Sequence, residues 1–203
     1  STFTLTSVDV TIPGTCAGSY AVTRTWTATD ACGNTSTASQ TINVQDIVAP
    51  VIATLPSAST IACPATPSFA QPTATDACDA TVTLTFADVT TPGSCPGNYS
   101  VTRTWTATDD CGNTSTASQT INVQDIIAPV ITTPASNIVV NCDGQGNQNE
   151  LTNWLANNGG ASATDSCSAV TWSNNFNAIT NDCSTSVTVI FTATDLCGNA
   201  CIS

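Results

Sequence analysis

This 203-residue chain carries two arginines, no lysine and fourteen acidic residues, a net charge of −12. Nucleic acid and anionic membrane surfaces are excluded as partners, because phosphate binding needs clustered Lys and Arg. Cations are favoured, and acidity of this kind also keeps an exposed protein soluble. No apolar run approaches the ~20 residues of a membrane-spanning helix, so no membrane insertion is expected of this segment. No secretory leader is recognisable. The chain reads as an interior window of a longer exported protein.

Eleven cysteines and no histidine point the same way. Zinc sites want close Cys or His pairs, whereas all cysteine spacings here but one are 14 residues or more. Disulfides in an oxidising compartment are the expectation. Thr, Val and Ser dominate the rest, and the stiff β-branched side chains suit pleated strands.

Residues 1–53 match residues 80–132 at 41 of 53 positions, an offset of 79. Taken in chain order, 1–48 is the C-terminal half of a first repeat, 49–127 is a complete second repeat, and 128–203 is a third, diverged repeat lacking its last strand. Within the complete repeat, period-2 alternation between Pro, Gly, Asn and Asp punctuation predicts strands at 51–55, 60–62, 68–75, 81–90, 99–108 and 115–124. In the fifth, Tyr99, Val101, Arg103, Trp105 and Ala107 share one face and threonine fills the other. Asp109-Asp110-Cys111-Gly112-Asn113 is a hairpin turn signal. The third repeat has a longer front half, with one short helix predicted near 149–157. The expectation is an all-β fold of tandem immunoglobulin-like sandwiches stapled by disulfides.

The motif TATDxCGNTS followed by VQDxxAPVI resembles the hyalin-type and bacterial immunoglobulin-like repeats, over the whole chain. Those modules stack in very large cell-surface adhesins, including adhesins of gliding bacteria. The resemblance implies an extracellular spacer or stalk and names no ligand.

Strand direction suggests how cysteines pair. Strand 81–90 runs down from the end where a repeat begins, 99–108 runs up, and 115–124 runs down into the linker. Cys63 and Cys95 then lie at the lower end, and Cys78 and Cys111 at the upper. The expected bonds are Cys63–Cys95 and Cys78–Cys111, with Cys142–Cys183 and Cys167–Cys197 in the third repeat. Partners of Cys16 and Cys32 are expected upstream of residue 1, and Cys201 has no counterpart.

Catalysis finds no support: no His or Lys is present to activate a nucleophile, and no Gly-rich phosphate loop occurs. The acidic residues do form a pattern. Asp46, Asp76 and Asp109 are placed at the first junction between repeats, and Asp125, Asp165 and Asp195 at the second. Three converging carboxylates suit calcium, and the D-x-x-A-P linker resembles that of calcium-stiffened cadherins and adhesins. The competing role is turn closure by the Asp side chain.

Asp9 with Arg24, and Asp88 with Arg103, are expected as cross-strand ion pairs, because both charges vanish together in the third repeat, where Val189 replaces the arginine. The alternative is an arginine stem packed over Trp26 or Trp105. Trp154 and Trp172 are expected to anchor the helix, with sugar stacking as the rival role. Asn34, Asn98 and Asn113 begin glycosylation sequons. The expected partners are neighbouring repeats of the same chain, surface glycans, or other copies of the chain completing its missing strands. The function reading is a stalk, with a glycan-binding module or a self-assembling filament subunit as alternatives.

Overall fold

A computed structural model describes residues 2–141, 148–177 and 186–203. The described chain is overwhelmingly β, with one α-helix. It forms two compact units, each assembled from discontinuous segments. One comprises Ser1–Pro56, Ala70–Ala87 and Arg103–Gln119, the other Ser57–Phe69, Asp88–Thr102 and Thr120–Ser203.

The first unit contains an antiparallel meander, β1 (Phe3–Pro13), β2 (Tyr20–Asp30) and β3 (Thr35–Val44). Its register sets Asp9 opposite Arg24 and Thr23 opposite Thr41. The threonine face is tied by hydroxyl pairs such as Thr23–Thr41 at 2.9 Å. In the same unit β4 (Val51–Ile52) pairs antiparallel with β6 (Ala74–Thr75). These two strands are shorter than the alternation predicted. Pro56, Pro67 and Pro72 remove ladder donors around them, and pairing survives only at Val51–Ile52 and Ala74–Thr75.

Three strands pass through both units: β7 (Thr83–Pro92), β8 (Tyr99–Thr108) and β9 (Thr114–Gln124). With β5 (Ser59–Ala62) they form a sheet of order β5-β9-β8-β7. β5 runs parallel to β9, Ser59 opposite Ile121 and Ala62 opposite Gln124. The β8 face that carries Trp105 and Ala107, opposite the threonines, is the buried one at its C-terminal end, where Trp105 is 1% exposed and Ala107 fully buried. Hydroxyl pairs on the other face repeat the pattern of the first meander, as in Thr104–Ser118 at 2.9 Å.

The second unit carries the third repeat. β10 (Val130–Thr133) pairs with β11 (Ser162–Thr164), and β12 (Val170–Asn174), β13 (Phe191–Asp195) and β14 (Ala200–Ile202) form an antiparallel sheet. Helix α1 (Gln148–Ala156) falls where the sequence places it, followed by a turn of 3-10 helix at Asn158–Gly160. Gly159 is required there: its φ is +64°, and a Cβ would approach the Phe191 ring to 3.0 Å. Trp154 sets its ring edge-on to Phe191, centroids 5.1 Å apart, and its indole N–H donates to the Ser136 carbonyl at 2.9 Å. That tryptophan anchors the helix.

Candidate functional site at the repeat junctions

The linker aspartates sit at the centre of each junction. The backbone N–H of Asp46 donates to Ser19 Oγ at 3.1 Å, in the loop that closes β1 and β2. Its carbonyl accepts from the Asn113 side-chain amide at 3.3 Å, in the hairpin between β8 and β9. One residue is thus gripped by the lower loop of one repeat and the upper hairpin of the next. The second junction repeats the grip: Asp125 N–H donates to Asn98 Oδ1 at 2.7 Å, and its carbonyl accepts from Asn199 Nδ2 at 3.1 Å. Ser115 Oγ adds a bond to the Pro50 carbonyl at the first. The recurring Cys-Gly-Asn, read from sequence as a turn and a sequon, is therefore also the clamp on the linker.

Disulfides staple the same two pieces. Cys16 of the lower loop bonds Cys111 of the next hairpin, and Cys95 bonds Cys197 one repeat later. Cys63, after β5, bonds Cys167. The expected pairs Cys63–Cys95, Cys78–Cys111 and Cys167–Cys197 are therefore corrected, and Cys16 finds its partner downstream. Cys142–Cys183 lies outside the described residues. In the order β5-β9-β8-β7, the end of β5 and the β7–β8 loop are more than two strand spacings apart, about 12 Å. A disulfide needs Cα atoms within about 7 Å. The lower end of one repeat meets the upper end of the next more closely than its own far edge, so the bonds join repeats and do not close loops within one. Cys32, Cys78 and Cys201 are free thiols.

The carboxylates divide into two groups. Asp109 is committed to its own turn: Oδ1 accepts from the Asn113 N–H and Oδ2 from its amide, both at 2.8 Å. Asp195 does the same with Asn199. Although burial raises the pKa of Asp195, bonds from Asn199, Cys197 and Gly198 bring it below the usual carboxylate value. These two close turns and do not join the expected triads. The structure instead groups Asp46, Asp76 and Cys78, whose ligand atoms lie within 4.8 Å of one another, and Asp125, Asp165 and Cys167 likewise.

In the first group, one oxygen of each aspartate caps a turn, Asp46 Oδ1 accepting from Val48 N–H and Asp76 Oδ1 from Cys78 and Asp79 N–H. The other oxygens, Asp46 Oδ2 and Asp76 Oδ2, are buried with no hydrogen-bond partner, and Asp46 as a whole is 8% exposed. Two bare, buried anionic oxygens fit a hard divalent cation. In the second group Asp125 Oδ2 accepts from Ser168 Oγ at 3.2 Å, and Cys167 is consumed by its disulfide.

Sequence reading missed Asp79. It is 6% exposed, and takes the N–H groups of Thr81 and Asp110 at 2.9 and 2.7 Å. Those backbone bonds hold its carboxyl below the usual value. Asp9 and Arg24 form a bidentate pair, both contacts 2.7 Å, and that hydrogen-bonded guanidinium lowers the Asp9 pKa. The Arg103 guanidinium lies over the Phe86 ring at 3.9 Å and 5.9 Å from that of Trp105.

Residues 51–123 match the family model of an HYR-like domain with four cysteines. The matched span contains four cysteines, Cys63, Cys78, Cys95 and Cys111, and the resemblance read from TATDxCGNTS holds over it. No curated protein matches the chain in sequence. Similar solved structures include a protocadherin gammaB7 EC3-6 cis-dimer, at 14% identity over 99% of this chain and 67% of that one, TM-score 0.33. PcdhgB3 EC1-4 matches at 14% identity over 100% and 64%, TM-score 0.37, and human CDH23 EC21-23 at 17% over 92% and 72%, TM-score 0.31. The chain thus spans about two thirds of the first two. Likeness of this order says nothing of ligand or partner.

Proposed function

We propose that the chain is a spacer segment of an extracellular, cell-surface adhesin or filament, built of repeats at 1–48, 49–127 and 128–203, which holds a distal binding surface away from the cell. The observation that carries this is the pair of disulfides that leaves the lower end of the middle repeat for the third, Cys63–Cys167 and Cys95–Cys197. A catalytic or ligand-binding domain gains little from being bonded to its neighbour. A load-bearing one gains a covalent path for tension. Among the described residues no helix is long and apolar enough to cross a membrane. Calcium at Asp46 and Asp76 would tie the linker to the repeat it enters, adding stiffness to the same junction.

The test is single-molecule stretching between the chain ends. With the three bonds intact, the shortest covalent route passes through 1–16, 95–111 and 197–203, a taut length of roughly 140 Å. The reduced chain extends to roughly 700 Å. Equal extension in both states would end the load-bearing reading.

A further inference from the structure

The disulfides interlace. In chain order their cysteines run Cys16, Cys63, Cys95, Cys111, Cys167 and Cys197, and each bonded loop opens before the previous one closes. Cys16–Cys111 therefore spans the first linker, while Cys63–Cys167 and Cys95–Cys197 both span the second. Every passage from one repeat to the next is made twice, once by peptide and once through sulfur.

Strand β8 connects the two crossings. Cys95 stands before it and Cys111 after it, and they bond to different neighbouring repeats. Tension that enters at Cys111 leaves at Cys95 along β8 alone, a central strand with β9 on one side and β7 on the other. Neither linker lies on that route.

The linkers are also the accessible backbone. Residues 45–50 and 125–129 form no helix or strand, and Ile47 is 80% and Ile126 67% exposed. Exposed irregular segments are where proteases nick a folded chain. Enzymes that cut after basic residues find little else here, since there is no lysine, and Arg24 and Arg103 lie in β2 and β8, each paired on both sides. A strand so paired reaches a protease only by opening.

Both sides of a cut after Ile47 would stay held. The Asp46 carbonyl accepts from the Asn113 side-chain amide, and the Pro50 carbonyl from Ser115 Oγ. Asn113 and Ser115 belong to one hairpin arm of the middle repeat.

We propose that the linkers are sites of tolerated proteolysis. An extracellular endoprotease that accepts aliphatic side chains hydrolyses Ile47–Val48 and Ile126–Ile127, and the spacer remains one covalent piece with its load path unbroken. Each cut consumes one water: its OH goes to the carbonyl carbon of Ile47 or Ile126, its remaining hydrogen to the nitrogen of Val48 or Ile127. No electrons are exchanged, and the disulfides are untouched. This inference rests on the spacer reading and deepens it, because it removes the linker peptide from what holds the repeats together.

The test uses the oxidised 203-residue chain carrying Ile47→Arg and Ile126→Arg, both at exposed positions, treated with trypsin. Fragments 1–47, 48–126 and 127–203 are expected on a reducing gel. Without reductant a single species, heavier by two waters, should remain. Cleavage after Arg24 or Arg103 should be at least about a hundredfold slower, because cutting tracks the population of the opened strand. Single-molecule stretching of the cut chain should return the taut length of the uncut one. Adding Cys16→Ser and Cys111→Ser should release 1–47 under denaturing, non-reducing conditions. The unsubstituted chain, treated with an elastase-type protease, should be nicked at its own linkers and stay whole until reduced. Separation of the fragments before reduction, no cleavage at either linker, or cleavage at Arg24 and Arg103 at the linker rate would overturn the proposal. The spacer reading is tested on the uncut chain, so the two fail separately.

Discussion

The side-chain amide of Asn113 donates to the backbone carbonyl of Asp46, 67 residues earlier in the chain, and at the same time to the Asp109 carboxylate. A hairpin turn and the linker it faces are therefore one hydrogen-bonded assembly. Removing the amide orphans two acceptors that lie close to the junction. Asn113→Ala is expected to cost about 1–3 kcal/mol, seen as a lower urea midpoint with an unchanged slope. Asn199→Ala should reproduce the effect through Asp125. Full stability in both variants would show that the linker needs no clamp.

The bond pattern has its own test. Non-reducing peptide mapping should recover Cys16–Cys111, Cys63–Cys167 and Cys95–Cys197. Each closes a loop of around a hundred residues, for which the chain-entropy model gives about 4–5 kcal/mol. The Cys95→Ser/Cys197→Ser variant should lose stability on that scale. Recovery of Cys63–Cys95 would restore pairing within a repeat.

Much of the fold was legible because it is written in short-range signals. Period-2 alternation located β7, β8 and β9, and the offset of 79 located their counterparts in β1, β2 and β3. The helix announced itself in Asn-Glu-Leu-Thr-Asn-Trp-Leu. Strand direction even placed Cys63 and Cys95 at the lower end, consistent with β5 lying parallel to β9. Pairing was not legible, because two cysteines at one end of a sheet can stand further from each other than from the next repeat. Asp109 was misassigned for a related reason. Whether a turn carboxylate faces its own asparagine or a junction is decided by side-chain torsion, and sequence carries no record of it. Asp79 gave no signal, as an isolated acidic residue outside any repeated motif.

Asp79 predicts a pH dependence. Its folded pKa is lowered by the Thr81 and Asp110 N–H groups. The charged form therefore contributes stability above the unfolded value of about 3.9, and the contribution is lost as pH falls through the lower folded value. Asp79→Asn should be less stable than the parent at pH 7, and the gap should close in thermal melts below about pH 4. A gap independent of pH would assign the residue's effect to shape alone.

Arg103 stacks on Phe86 where the first repeat has no ring, since Ser7 occupies the equivalent position. Arg103→Ala should cost about 1 kcal/mol from the lost cation–π contact. We further propose that Asp88 couples to Arg103 as Asp9 does to Arg24. A double-mutant cycle of Arg103→Ala with Asp88→Asn that returns no coupling would remove that pair and leave the stacking as the role of the arginine.

Calcium makes the sharpest claim on the junction. Asp46 Oδ2 and Asp76 Oδ2 are buried and without a hydrogen-bond partner, and the two carboxylates bring ligand oxygens within 4.8 Å of one another. Without a cation, two such charges repel and desolvation penalises both. A divalent ion reverses the sign of both costs and supplies the missing partners. Extracellular calcium modules bind at about 10⁻⁴–10⁻³ M. At ~10 mM calcium, linkage then gives a stabilisation of about 1.4–2.7 kcal/mol, a rise of several degrees in Tm for a unit of this size. The increment should vanish with EGTA and with Asp46→Asn. It should survive Asp109→Asn, after correction for that variant's own loss, because Asp109 is committed to Asn113. Asp125→Asn should remove less, since Ser168 already satisfies the oxygen that would face the ion. Small-angle scattering on the same samples reads stiffness: with calcium, about 40 Å of advance per repeat from ten-residue strands and their turns, and a shorter mean extension after chelation. Identical melts and identical profiles in every condition would mean that the aspartates only shape turns, and that the disulfides and the asparagine clamps alone hold one repeat to the next.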